Sequence, residues 1–146
     1  MNDIKMNLDQ IKAVIPHREP MLLVDEVVNM VSERSITAGF YVDPGRDIFR
    51  GHFPDEPVLP GVYTVEIMAQ TSDILILSCE RYAGKKPLFI GIDKVKFRAK
   101  IKPGDTLEIR AKISYENLEK SIVTCSAEIY DGGVLACEGD VTLAMR

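Results

Sequence analysis

The sequence predicts an α+β fold in which an antiparallel sheet of five or six strands wraps one long buried helix. Three observations carry this. After Gly61 the chain runs to about Tyr82 without a proline or a glycine before Gly84. From Leu88 onward, segments alternate apolar and polar residues, as half-buried strands do. Between two of those segments lies Asp131-Gly132-Gly133, a strong hairpin signal.

Taken in order, Asn7 or Asp9 is placed to cap a short helix through Val14, which Pro16 terminates. The apolar, β-branched "MLLVDEVVNMV" of residues 21–31 reads as a strand, and Arg34 to Val42 as a second. Residues 51–60, "GHFPDEPVLP", form a loop dense in proline. The helix that follows has about 20 residues and spans roughly 30 Å, a domain diameter. Its apolar residues lie nearly all round, so it belongs in the middle of the fold rather than on its surface. Leu88–Ile101, Thr106–Tyr115, Ser121–Tyr130 and Val134–Met145 complete the sheet.

The 146 residues suit a single domain, 1–146, with no linker or repeat. A net charge of −4 argues against a general nucleic-acid binder. The three cysteines, Cys79, Cys125 and Cys137, have no CxxC spacing, which argues against a disulfide framework and a zinc site. Asp3, Lys5, Asp9 and Lys12 interrupt any secretory signal core, and no apolar run is long enough for a bilayer. The expectation is a cytoplasmic protein with no membrane partner.

The chemistry concentrates in "GHFPDEPVLPGVYTVEIMAQ", residues 51–70. Glu66, Gln70 and Asp73 fall at i, i+4 and i+7, one polar line on an apolar helix. Either that line faces solvent or a subunit boundary, or it holds a carboxyl in an apolar cleft with its pKa raised toward general-acid use. His52 sits in a loop stiffened by Pro54, Pro57 and Pro60, which favours a positioned side chain. Gly61 opens the helix, where unpaired N–H groups can stabilise an oxyanion and a substrate can approach closely. A base, an acid and an oxyanion donor in one segment suggest elimination or addition next to a carbonyl.

This segment closely resembles the signature of the β-hydroxyacyl-acyl-carrier-protein dehydratases of the FabZ type. The resemblance continues in "PHREPMLLVDEV" (16–27), "GIDKVKFR" (91–98) and "KPGD" (102–105), and so covers nearly the whole chain. It implies the hot-dog fold, in which a sheet wraps a central helix, and no metal or organic cofactor. It implies that His52 and Glu66 are the catalytic pair and that the Gly61 N–H holds the thioester carbonyl. The reaction implied is dehydration of (3R)-hydroxyacyl-acyl-carrier protein to the trans-2-enoyl form in type II fatty acid synthesis. Dehydratase-isomerases carry Asp at the position of Glu66, so simple dehydration is favoured. The resemblance also implies a homodimer with His52 from one chain and Glu66 from the other, assembling further into a trimer of dimers.

Departures from the family pattern at Tyr63, Ser72, Asp73 and the neighbourhood of Leu88 fall where an acyl tunnel or gate is expected. Tyr63, Asp73, Leu88 and Phe89 are the tunnel candidates. His17 reads as structural, because the site already has its base. Lys94, Lys96, Arg98, Lys100 and Lys102 alternate with apolar residues, so a regular strand presents five basic groups on one face. That face is either simply solvated or a docking ridge for the acidic carrier protein. Two other classes remain: a hot-dog thioesterase, which has no need of His52, and a non-catalytic acyl-binding module, which has no need of either group.

Overall fold

Asn7 caps the first helix reciprocally with Gln10, whose N–H donates to Asn7 Oδ1 at 2.9 Å while Asn7 N–H donates to Gln10 Oε1 at 2.8 Å. That helix, α1, is Leu8–Val14, and it tucks Ile11 into the core. The computed structural model describes residues 4–146. Six strands follow: β1 (Glu26–Val31), β2 (Ser35–Tyr41), β3 (Pro87–Phe97), β4 (Thr106–Asn117), β5 (Ile122–Asp131) and β6 (Val134–Met145). They form one antiparallel sheet in the order β1-β2-β4-β5-β6-β3. The predicted turn at residues 131–133 joins β5 to β6. Among the described residues, no helix is long and apolar enough to cross a membrane.

The central helix, α2, is Gly61–Leu77, and every residue from Ile67 to Leu77 is buried. Its apolar side chains meet inward-facing residues of the sheet in one core that includes Ile109, Val123, Ile129 and Val141. Truncating a fully buried isoleucine such as Ile67 or Ile74 to alanine costs about 2–5 kcal/mol in such a setting. The helix stops sooner than the sequence suggests. The Ser78 hydroxyl donates to Ile74 O at 2.6 Å, Cys79 turns extended, and a 3₁₀ turn covers Glu80–Tyr82.

Two strand expectations shift for physical reasons. Residues 21–25 are not strand, although Leu22, Leu23 and Val24 are buried. Gln70 on α2 supplies the hydrogen bonds a neighbouring strand would have given. Leu23 N–H donates to Gln70 Oε1, and Gln70 Nε2 donates to Met21 O, each at 2.8 Å. The strand expected to run to Ile101 ends at Phe97, where Arg98 N–H and Ala99 N–H both turn to Ala136 O.

That strand also carries a bulge: Asp93 pairs with Asp140 and Lys96 with Glu138, so Lys94 and Val95 together oppose Gly139. The basic residues from 94 to 102 therefore do not form one face of one strand. Lys94 lies in the bulge and Lys96 just after it, and Arg98, Lys100 and Lys102 follow on irregular backbone.

Candidate active site

His52 lies between the 3₁₀ turn Asp47–Arg50 and α2. Its backbone is held on both sides: His52 N–H donates to Ile48 O, and Val58 N–H donates to His52 O, each at 3.1 Å. The side-chain Nδ1 is 2.9 Å from Val58 O. A carbonyl oxygen can only accept, so Nδ1 carries the proton in this bond. In the neutral ring this tautomer puts the lone pair on Nε2, the atom a general base would use. The ring stacks against Phe53, with centroids 4.1 Å apart.

The same loop delivers the chain to the start of α2. Pro60 at the N-cap offers no side-chain hydrogen bond, so the Gly61 and Val62 N–H groups are left uncapped, while Tyr63 N–H donates to Pro60 O at 2.9 Å. The Thr64 hydroxyl donates to Gly61 O at 2.6 Å and so does not compete for those donors. A side chain at Gly61 would place Cβ 2.9 Å from Cε1 of the Phe97 ring. A larger residue there would have to push the exposed Phe97 ring aside. His52, Gly61, Thr64, Phe97, Arg98 and Lys100 together line an open cleft of about 590 Å³, floored by Ala136 and Cys137.

At the rim, Arg98 Nε donates to Glu138, and Lys100 Nζ lies 3.3 Å from Glu56 Oε1. Both pairs are solvent-exposed, and such pairs contribute little to stability. Arg98 and Lys100 can therefore be recruited by an anionic partner.

Glu66 stands elsewhere. Five helical residues at about 100° each turn it about 140° around the axis from Gly61, and it is absent from the lining of the His52 cleft. Gln70 Nε2 donates to Glu66 Oε2 at 2.8 Å and fixes that carboxylate. His17 Nε2 lies 3.9 Å from Glu66 Oε2 and 3.7 Å from Asp73 Oδ2. Burial, reinforced by the nearby Glu66 charge, holds the Asp73 carboxyl well above the usual carboxylate range. Burial also pushes the His17 imidazole down, against a smaller upward pull from Glu66 and a downward one from Arg18.

The polar line on α2 thus does not face solvent: Gln70 is 0% and Asp73 2% exposed. The Glu66 side chain alone keeps an opening, at 21%.

His52 and Gly61 come together, with Arg98 and Lys100 beside them. Glu66 and Asp73 gather around His17, and among the described residues Glu66 shares no hydrogen bond or ion pair with His52. Tyr63 packs partly buried on the core, whereas Leu88 and Phe89 lie exposed on β3. The four tunnel candidates therefore do not line one cavity within the chain. Lys102 caps a turn through its N–H to Asp105 Oδ2 at 2.9 Å. Sequence reasoning overlooked Gln70 as the anchor of Glu66. A buried amide in an apolar helix must find partners, and that was the available signal. Among the described residues, no group of three His, Cys, Asp or Glu is arranged to hold a metal ion.

Both centres, the central helix and nearly all of the sheet fall within residues 15–140, which match the FabA-like domain family. The dehydratase heterocomplex ApeI:P of Xenorhabdus doucetiae superposes with a TM-score of 0.74 at 19% identity, covering 93% of this chain and 90% of that one. Zebrafish thioesterase superfamily member 2 gives 0.67 at 17%, covering 97% and 99%. These likenesses define the class by fold: a hot-dog protein, an architecture that occurs in both dehydratases and thioesterases. Sequence separates the two. The 3-hydroxyacyl-[acyl-carrier-protein] dehydratase FabZ of Clostridium beijerinckii is 41% identical over 97% of this chain and 99% of its own length. That of Oenococcus oeni is 41% identical over 97% and 100%. The chain belongs to the FabZ family of 3-hydroxyacyl-[acyl-carrier-protein] dehydratases.

Proposed function

We propose that this chain converts 3-hydroxyacyl thioesters of acyl carrier protein to trans-2-enoyl thioesters, with His52 as base, Glu66 as acid and the Gly61 N–H as oxyanion donor. The observation that carries this reading is the bond between His52 Nδ1–H and Val58 O, which frees Nε2 beside an open helix N-terminus. The thioester carbonyl accepts from Gly61 N–H, which acidifies the C2 proton. His52 Nε2 takes that proton, the C3–O bond breaks, and Glu66 gives its proton to the departing hydroxyl, which leaves as water. The same groups run the reverse hydration. Arg98 and Lys100 at the cleft mouth suit the phosphate of the carrier's prosthetic arm and the acidic carrier itself.

A dimer completes the site in this reading. β3 is the outer strand of the sheet, and Leu88, Ile90 and Ile92 on it are each more than half exposed. An apolar open edge of this kind is normally covered, and a second copy of the chain fits the self-complementary geometry of a two-fold contact. Glu66 of one subunit then faces the His52 cleft of the other.

The test is to give His52→Ala and Glu66→Gln a 3-hydroxyacyl-carrier protein and follow both enoyl product and free thiol. Each variant should lose about 10²- to 10⁴-fold in turnover with its fold intact by circular dichroism. Near-normal turnover in His52→Ala accompanied by free thiol would instead identify a thioesterase.

A further inference from the structure

Behind Glu66 lies a second pair of ionisable groups that the elimination itself does not use. His17 sits between Glu66 and Asp73, which are seven residues apart on α2, about 10 Å along its axis. Its Nε2 is within 4 Å of a carboxyl oxygen of each. The other polar atoms of these two side chains, His17 Nδ1 and Asp73 Oδ1, are buried and have no hydrogen-bond partner among the described residues. Unpaired buried polar atoms are uncommon, and a catalytic role is one of the recognised reasons for keeping them. Asp73 is 2% exposed and His17 17%, while Glu66, 21% exposed in the single chain, is the group that a partner subunit would cover in the proposed dimer, leaving His17 as its route to solvent.

We propose that His17 and Asp73 form a proton relay that recharges Glu66 after each turnover, with solvent as the final source. The inference rests on Glu66 being the acid. Each dehydration leaves Glu66 as a carboxylate and His52 as an imidazolium, so the cycle cannot repeat until one is protonated and the other deprotonated. His52 releases its proton through the open cleft. On the Glu66 side, Asp73 Oδ2–H gives its proton to the lone pair of His17 Nε2, and the same nitrogen then passes one to Glu66 Oε2; at 3.7 and 3.9 Å each transfer needs one bridging water or a small approach of the side chains. Asp73 is then restored through His17, which reaches solvent. One proton enters and one leaves per turnover.

Burial suits both members to the task. It raises the Asp73 pKa and lowers that of His17, which favours the uncharged form of each, so a proton can be held without a permanent buried charge. The other groups facing the pair do not interfere. Arg18 adds only a downward push on His17, and the Cys125 thiol on β5, pushed up to about 12 by burial, stays protonated. Neither His17 nor Asp73 touches substrate in this scheme. Both are positioning residues that act through Glu66.

The experiment compares His17→Asn and Asp73→Asn with wild type in two regimes: a single turnover with enzyme in excess, and steady state at low and rising imidazole buffer. A relay predicts single-turnover rates within about twofold of wild type and steady-state rates lowered about tenfold, since proton transfer alone is impaired. Imidazole should restore the steady-state rate of His17→Asn, while wild type stays insensitive to buffer. A merely structural role would lower both rates together without rescue, and that outcome overturns the proposal. Unchanged steady-state rates in both variants overturn it equally, because Glu66 would then be recharged directly by the product water. If Asp73→Asn fails to fold, the buffer response of His17→Asn decides alone. Glu66→Gln serves as the control on the underlying reading: a normal single turnover there removes the acid assignment, whatever the relay variants do.

Discussion

Gln70 shows how much one side chain can determine. Its carbonyl oxygen accepts from Leu23 N–H, and its amide donates to both Met21 O and Glu66 Oε2. One residue therefore fastens the non-strand segment at 21–25 to α2 and also aims the proposed acid. Gln70→Leu conserves bulk and apolar packing but leaves the buried Leu23 N–H without a partner. The cost should be about 1–3 kcal/mol for that group, read as a lower denaturation midpoint at fixed protein concentration. Dehydration should fall too, because Glu66 loses its only fixed donor among the described residues. A variant as stable as wild type would mean that water or a backbone shift replaces the amide.

At the scale of elements, β3 depends on Gly139 of β6, which accommodates its bulge. A Cβ there would lie 2.5 Å from Val95 Cγ2 and 3.1 Å from Val95 Cα. The second contact is with backbone, so no rotamer change relieves it. Gly139→Ala should cost about 1–3 kcal/mol by overpacking and speed hydrogen exchange in β3 more than in β4 or β5; uniform exchange would contradict the local argument. The bulge opposite Gly139 also explains what could and could not be read beforehand. The long helix and the hairpin were legible because uninterrupted runs and turn residues are local signals. The bulge depends on which residues face each other across two strands. The clamp of Gln70 on Leu23 joins positions 47 apart in sequence. Neither leaves a local trace, so the basic stripe read as five groups on one face and the buried polar line could not be assigned to solvent or core. His52 and Gly61 were legible as a pair for the opposite reason: nine residues of proline-rich loop bring them together. Of the basic groups, Arg98 and Lys100 border the cleft. Reversing both charges should raise KM for a carrier-linked substrate and hardly change it for a short pantetheine thioester. Equal effects on both substrates would dismiss carrier docking.

For the whole molecule, the decisive question is whether one chain contains a complete site. Within one chain the proposed base His52 and the proposed oxyanion donor Gly61 share a cleft, while Glu66 points about 140° away around the helix and is fixed by Gln70. The exposed apolar edge at Leu88, Ile90 and Ile92 supplies a surface through which a second copy can bring its own Glu66 to that cleft. Subunit exchange distinguishes the shared site from a self-contained one. Mix equal amounts of His52→Ala and Glu66→Gln chains under conditions that allow dimers to re-form. Half of the random dimers are mixed, and with shared sites each of these has one site with both defects and one site with neither. About a quarter of wild-type activity should return, given two-fold symmetry and independent sites. If both groups come from the same chain, every site retains a defect and nothing returns. Mixed dimers verified by mass spectrometry but inactive would therefore exclude the shared site, and would require Glu66 to reach the cleft of its own chain by a rearrangement of α2 that its burial opposes.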